Sequence, residues 1–319
     1  MRGHMDLRSH HPSPAQLKRA VDLVGRGLLC YQPFIFSEGM ETGAGLEFTG
    51  AEFQGMVYLA HPPPRFLARK EISRLLVDPA KRERFSESNR RLRVLYESFI
   101  EEIETRLGPI ERHTFAEVGC CSGYFPLSLA KRGAKLAVGF DRVDYGPSFR
   151  LLNGILGTHA RFVHRPYRVK GEVARGRLSW LRVLRRELLR VAAPLRHPWL
   201  ALGARFDVVL SVAVLVHLSD PLQHLAYLGQ MARKALLVWT TTSDDENGRS
   251  IHYLASNRYY LEERFPHCFD VVQVSPALLR HSLELMGFTE IHQIANRPDG
   301  MPEEWFRKHR GYLAIRPHE

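Results

Sequence analysis

Residues 115–125 read FAEVGCCSGYF, and a second apolar run ends in Gly139, Phe140 and Asp141. Phe115 to Val118 is short and apolar and suits a buried strand. Leu127, Leu129 and Ala130 then open a helical pattern that stops at Gly133. The run from Leu136 to Phe140 ends on an acid. The order is strand, glycine turn, helix, strand, Asp. Gly119 and Gly123 let the backbone bend sharply and come close to a ligand. Asp141 stands 22 positions after Gly119, so its carboxylate is expected at the tip of the next parallel strand. A carboxylate there accepts the hydrogen bonds of a ribose diol. The implied ligand is an adenosine-type cofactor at the C-terminal edge of the strands.

A dinucleotide turn, G-x-G-x-x-G, aims a helix N-terminus at a pyrophosphate. Here the middle glycine is Cys121 and no third glycine follows in place, so a phosphate cradle is poorly provided. There is no Gly-Lys-Ser/Thr pattern either. The stretch instead resembles motif I of the class I S-adenosylmethionine (SAM) methyltransferases, acid-x-Gly-x-Gly-x-Gly. Glu117, Gly119, Cys121 and Gly123 occupy its four positions, with Cys121 in place of the usual glycine. The resemblance implies SAM as cofactor, Glu117 ordering the loop or the cofactor amine, and Asp141 holding the ribose. Arg142 and Val212 join the expected cofactor set.

The chain has 319 residues, room for one large domain or a core with an extension. No run of eighteen apolar residues occurs, so no membrane span is expected. The N-terminus is polar, without the apolar region of a signal peptide. Cys30, Cys120, Cys121 and Cys268 show no zinc spacing, so no metal is expected, and a reduced cytoplasmic setting fits them best. The net charge is +11, and residues 161–205, with twelve basic and two acidic side chains, hold nearly all of it.

The expected fold class is α/β, a doubly wound, mostly parallel, seven-stranded Rossmann-like sheet. Residues 1–110 read as an N-terminal helical and loop cap, and 111–319 as the SAM-binding core with a basic helical insert at about 168–204. Helices are expected over 14–25, 87–107 and 280–287, and strands near 160–163, 206–211 and 235–240. Ser219, Asp220 and Pro221 read as a helix start. Residues 288–295 and 312–316 read as a closing antiparallel hairpin, with Met301 to Trp305 in its long loop. In the insert, Leu181, Leu184, Leu188 and Val191 share one helix face with Trp180, while Arg182, Arg186 and Arg190 line another.

Phe206 to Leu222, with Gly139 to Asp141, Asp244 to Asn247, Asn257 to Tyr259, Ser275-Pro276 and Gly287-Phe288, resembles the methyltransferase branch that contains the tRNA wobble-uridine carboxymethyltransferases. Members that use carboxy-SAM carry a Lys in the loop corresponding to Tyr31 to Phe34 and a Tyr before the His of the fourth-strand motif. This chain has Gln32 and Val216 there, and Leu218 follows His217 where an Arg is common. A bare carboxylate would lack its cationic partner, so ordinary SAM is expected. His217 is the candidate base, with a packing role as the rival account. Phe34, Asp244, Arg258 and Tyr259 are the candidate acceptor-binding residues. The expected function is methyl transfer, O-methylation ahead of N-methylation, to a small or medium-sized polar acceptor. A tRNA-modifying methyl- or carboxymethyltransferase and a non-catalytic SAM-binding module are the alternatives, and RNA is therefore a possible partner.

Overall fold

The computed structural model describes residues 12–26, 28–29, 32–34, 79–164, 205–218, 220–254, 271–294 and 309–317. In chain order the elements are α1 (Pro14–Gly25), α2 (Pro79–Leu107), β1 (Thr114–Val118), α3 (Tyr124–Lys131), β2 (Leu136–Asp141), α4 (Gly146–Leu156), β3 (Arg161–His164), β4 (Phe206–Val212), α5 (Pro221–Met231), β5 (Ala232–Thr241), β6 (Ile251–Leu254), β7 (Val271–Val274), α6 (Pro276–Leu285), β8 (Glu290–Gln293) and β9 (His309–Ile315). Short 3-10 turns at Ile110–Arg112 and Leu215–His217 precede β1 and α5.

Among the described residues, seven strands form one sheet in the order β3-β2-β1-β4-β5-β9-β8. β1 is central. Its Glu117 stands opposite Gly139 of β2 and Leu210 of β4, both in parallel register. β9 runs antiparallel to β5 and to β8. Side-chain alternation sorts the strands into two apolar faces. Phe115, Val208, Leu210, Ala235 and Leu237 pack with α1 to α4, and Ala116, Val118, Val209, Leu236 and Val238 pack with α5 and α6. Helices on both faces are what let near-continuous apolar strands such as β4 stay out of water.

α2 shows why burial outweighs propensity. Its first two turns are rich in Lys, Arg and Glu. Leu95, Phe99, Ile100 and Ile103 are almost wholly buried against the sheet, and each such side chain contributes about 1.5–3 kcal/mol. Tyr96 and Phe99 also meet Phe125 of α3, at 4.8 and 6.1 Å between ring centroids.

Of the helix start read at Ser219 to Pro221, the part at Asp220 and Pro221 is present. Asp220 accepts the Gln223 N–H at 3.0 Å and Pro221 fills the first position. Several expected bounds need correction. α2 begins at Pro79 rather than 87, because its first turns have no apolar stripe for periodicity to reveal. α6 begins at Pro276 rather than 280, because the Ser275 hydroxyl accepts the Leu278 N–H at 3.3 Å. β5 reaches from Ala232 to Thr241, and the closing hairpin is β8 with β9. The sequence reading missed the small antiparallel sheet of β6 and β7, which joins the main sheet through a bridge between Thr242 and Val274. The basic insert at 168–204, most of the 30–68 region, Arg258, Tyr259 and Met301 to Trp305 lie outside the described residues.

Candidate active site

The glycine turn folds back over the end of β2. The Gly119 and Cys120 amides both donate to the Phe140 carbonyl, at 2.8 and 3.1 Å. The Cys121 amide donates to Oδ2 of Asp141 at 2.9 Å, and the Val143 amide donates to Oδ1 at 2.9 Å. Asp141 therefore fixes the turn from the end of β2. Gly123 has φ of +93°, and a Cβ there would fall 2.3 Å from the Phe149 ring of α4. A Cβ on Gly139 would meet the Cys120 sulfur at 2.6 Å and the same ring at 2.7 Å. Both positions need glycine for backbone sign or for space. Cys121, with φ of +48°, holds the strained middle of the turn, and Cys120 before it is a buried free thiol. With the Cys121 and Tyr124 amides each occupied by a protein side chain, the turn is not arranged as a phosphate nest.

Glu117 is 2% exposed and its Oε2 meets no hydrogen-bond partner among the described residues. Burial, and then the charge of Asp141, push its pKa well above the usual carboxylate range. Asp141 is raised too, mainly by burial, while the Val143 and Cys121 amides and the Arg142 charge pull it back. Asp141 accepts the Cys121 and Val143 amides and so orders the turn. Two acids thus end adjacent central strands beside a glycine turn, in a sheet whose one antiparallel strand lies between β5 and β8. The chain has the class I SAM-dependent methyltransferase fold.

In this methyltransferase fold the ends of β4 and β5 continue the same edge of the sheet. Val212 is buried at the end of β4. Ala213 follows with φ of +58°, and its amide donates to the Trp239 carbonyl at 2.8 Å. The chain then turns through Leu215–His217, which packs against β5 and β7 and leaves His217 half-buried. The acidic loop after β5 is largely structural. Asp245 accepts the Gly248 amide at 2.7 Å and the Ser250 hydroxyl at 3.2 Å, and Glu246 pairs with Arg310 of β9 at 2.6 Å. Asp244 is exposed beside them. Phe34 is fully buried, 5.6 Å from Tyr124 between ring centroids, which is a packing position. At the tip of β3, His164 donates through Nε2 to the Arg142 carbonyl at 2.8 Å. Sequence reasoning missed the Trp239–His309 stack at the β5–β9 edge, with centroids 4.8 Å apart and planes 12° apart. Only the antiparallel register of these strands brings the two rings together.

No protein-family model matches the chain. It is 25% identical over 196 residues to the tRNA U34 carboxymethyltransferase of Campylobacter lari, covering 61% of this chain and 56% of that protein. It is 26% identical over 200 residues to the protein of the same name from Pasteurella multocida, covering 62% and 52%. The chain is thus related to this branch and spans about half the length of the curated relatives it matches. Among solved structures, the N-terminal domain of EvdMO1 with S-adenosylhomocysteine (SAH) bound aligns over 98% of this chain and 99% of its own, at 16% identity and a TM-score of 0.49. Magnesium protoporphyrin IX methyltransferase of Synechocystis with bound SAM aligns over 72% and 83%, at 16% identity and a TM-score of 0.43.

Proposed function

We propose that the chain is a SAM-dependent methyltransferase acting on a polar acceptor, with an oxygen as the favoured methylation site. The observation that carries the reading is the buried Glu117 carboxyl, with Oε2 unsatisfied among the described residues, beside a glycine turn held by Asp141. An unsatisfied buried acid calls for a cationic group, and SAM has both an ammonium and a sulfonium. Glu117 would hold the amine, Asp141 the ribose through its remaining lone pairs, and Arg142 and Val212 the adenosine flank. When bound, SAM supplies a methyl group activated by positively charged sulfur. The protein's part is to align the acceptor and exclude water. His217 takes the acceptor's proton at a ring nitrogen, and Asp244 serves the acceptor side. The setting proposed is cytoplasmic, in keeping with the free thiol of Cys120.

The donor is read as lacking an extra carboxylate. Gln32 has its carbonyl committed to the Tyr124 amide, Val216 is apolar and buried, and Leu218 is half-buried. The second reading is tRNA modification. It is favoured by the names of the relatives and by the charge concentrated in 161–205.

Calorimetry with SAM, SAH and NAD tests the first reading. SAM and SAH should bind well ahead of NAD, and Asp141→Ala should weaken SAM binding by roughly 1.5–3 kcal/mol through loss of charge-assisted contacts. Equal affinity for NAD would remove the SAM assignment. A carboxymethyl group on the product, seen by mass spectrometry, would remove the donor assignment. Salt-sensitive binding of tRNA would promote the second reading.

A further inference from the structure

Gly123 stands at the N-cap of α3 and has no side chain with which to accept the helix's first amides. A residue 92 positions before Tyr124 does so. The side-chain carbonyl of Gln32 accepts the Tyr124 N–H at 2.8 Å. Gln32 is 3% exposed, so the bond is shielded from water, and an unmet amide there would bear the full cost of desolvation. The same stretch of chain is fastened to the turn in two more ways. The Leu28 carbonyl accepts the Ser122 hydroxyl at 3.5 Å and also the Ser148 hydroxyl of α4. Phe34 lies against the Tyr124 ring. Tyr124 is anchored at its far end as well. Its hydroxyl donates to Glu97 at 2.7 Å, and Glu97 pairs with Arg132, which reaches Glu104 at 3.0 Å.

The turn from Cys120 to Gly123 is therefore fastened from two sides. Asp141 holds it from β2 at the Cys121 amide, and Gln32 holds it from the N-terminal side at the Tyr124 amide. We propose that Gln32 is a positioning residue of the donor site. Its carbonyl fixes the first amide of α3, and through it the turn against which the donor must fit. This rests on the reading of that edge as a SAM site. A cap that only added helix stability would leave donor affinity unchanged.

The test uses the full chain and two variants. Gln32→Leu removes the acceptor, while Gln32→Glu keeps an oxygen at the same reach, with a charge that a helix N-terminus tolerates. SAH affinity is measured by calorimetry. Amide exchange is followed in ligand-free protein for the peptide spanning 119–127, with β4 and β5 as internal reference. Gln32→Leu should weaken SAH binding about five- to tenfold, the usual scale of a lost helix cap, and speed exchange in the turn alone. Gln32→Glu should bring both back to near wild type. If Gln32→Leu does not fold, Gln32→Asn, one carbon too short to reach the amide, takes its place. SAH affinity within twofold of wild type in the acceptor-less variant overturns the proposal. So does equal impairment of the Leu and Glu variants, which would show packing rather than the acceptor at work. If wild type binds neither SAM nor SAH, the functional reading fails separately and the exchange data decide: faster exchange in the turn, restored by Glu, supports the coupling, and unchanged exchange overturns it.

Discussion

Glu117 and Asp141 are buried at the tips of adjacent central strands, and burial raises the pKa of each. A carboxyl raised on folding favours the native state while it is protonated. That contribution is complete below the ordinary carboxylate range and drains away as pH climbs through the raised value. The ligand-free protein should therefore lose stability toward higher pH across this window, and Glu117→Gln should flatten the loss. A cation at Oε2 favours the ionised acid, so SAM binding should tighten as pH rises and release protons. Calorimetry in buffers of different ionisation heat reads this directly: proton release is expected from wild type and little from Glu117→Gln. Proton uptake, or equal release by both proteins, would show that Glu117 does not meet the amine. At this scale the acids and glycines were legible because their spacing is local. The bond from Asp141 to the Cys121 amide was not, because nothing in the sequence says which oxygen a turn amide will find.

The elements that present the chemistry are short. His217 sits in a single 3-10 turn after β4, and its place depends on the strained Ala213 and on the amide tie from Ala213 to Trp239. If His217 is the base, His217→Ala should cut turnover by about a hundred- to ten-thousandfold while SAH affinity stays near wild type. Loss of SAH binding together with turnover would make it a packing residue. Unchanged turnover would move the proton to another group or show that none need be taken. Elements with their own start signal were legible, as at Asp220-Pro221. The β6–β7 sheet was not, because four-residue strands carry too little pattern, and their partners are fixed only by register.

At the scale of the whole molecule the sheet is clamped between two apolar layers, and the second buries a histidine among its polar side chains. His224 of α5 is 3% exposed, and burial lowers its pKa to about 4. The folded protein keeps it neutral, while the unfolded chain takes up a proton near the ordinary value of 6.5. Its contribution is intact above that value and is lost as pH falls toward 4, an effect of roughly 1–3 kcal/mol. Thermal unfolding between pH 4 and 7 should show this acid limb, and His224→Leu should move it to lower pH. Identical profiles for the two proteins would place the acid sensitivity elsewhere. By itself the sequence determined the strand, turn, helix, strand and acid unit, the α/β class and the closing hairpin, since apolar periodicity and glycine spacing act over a few residues. Tertiary structure alone decided that Gln32 caps α3 from 92 residues away, that Trp239 stacks on His309, and that Glu246 is taken up by Arg310. These contacts join residues far apart in the chain. Each exists only once the sheet order has brought its strands together and burial has made an unmet polar group costly.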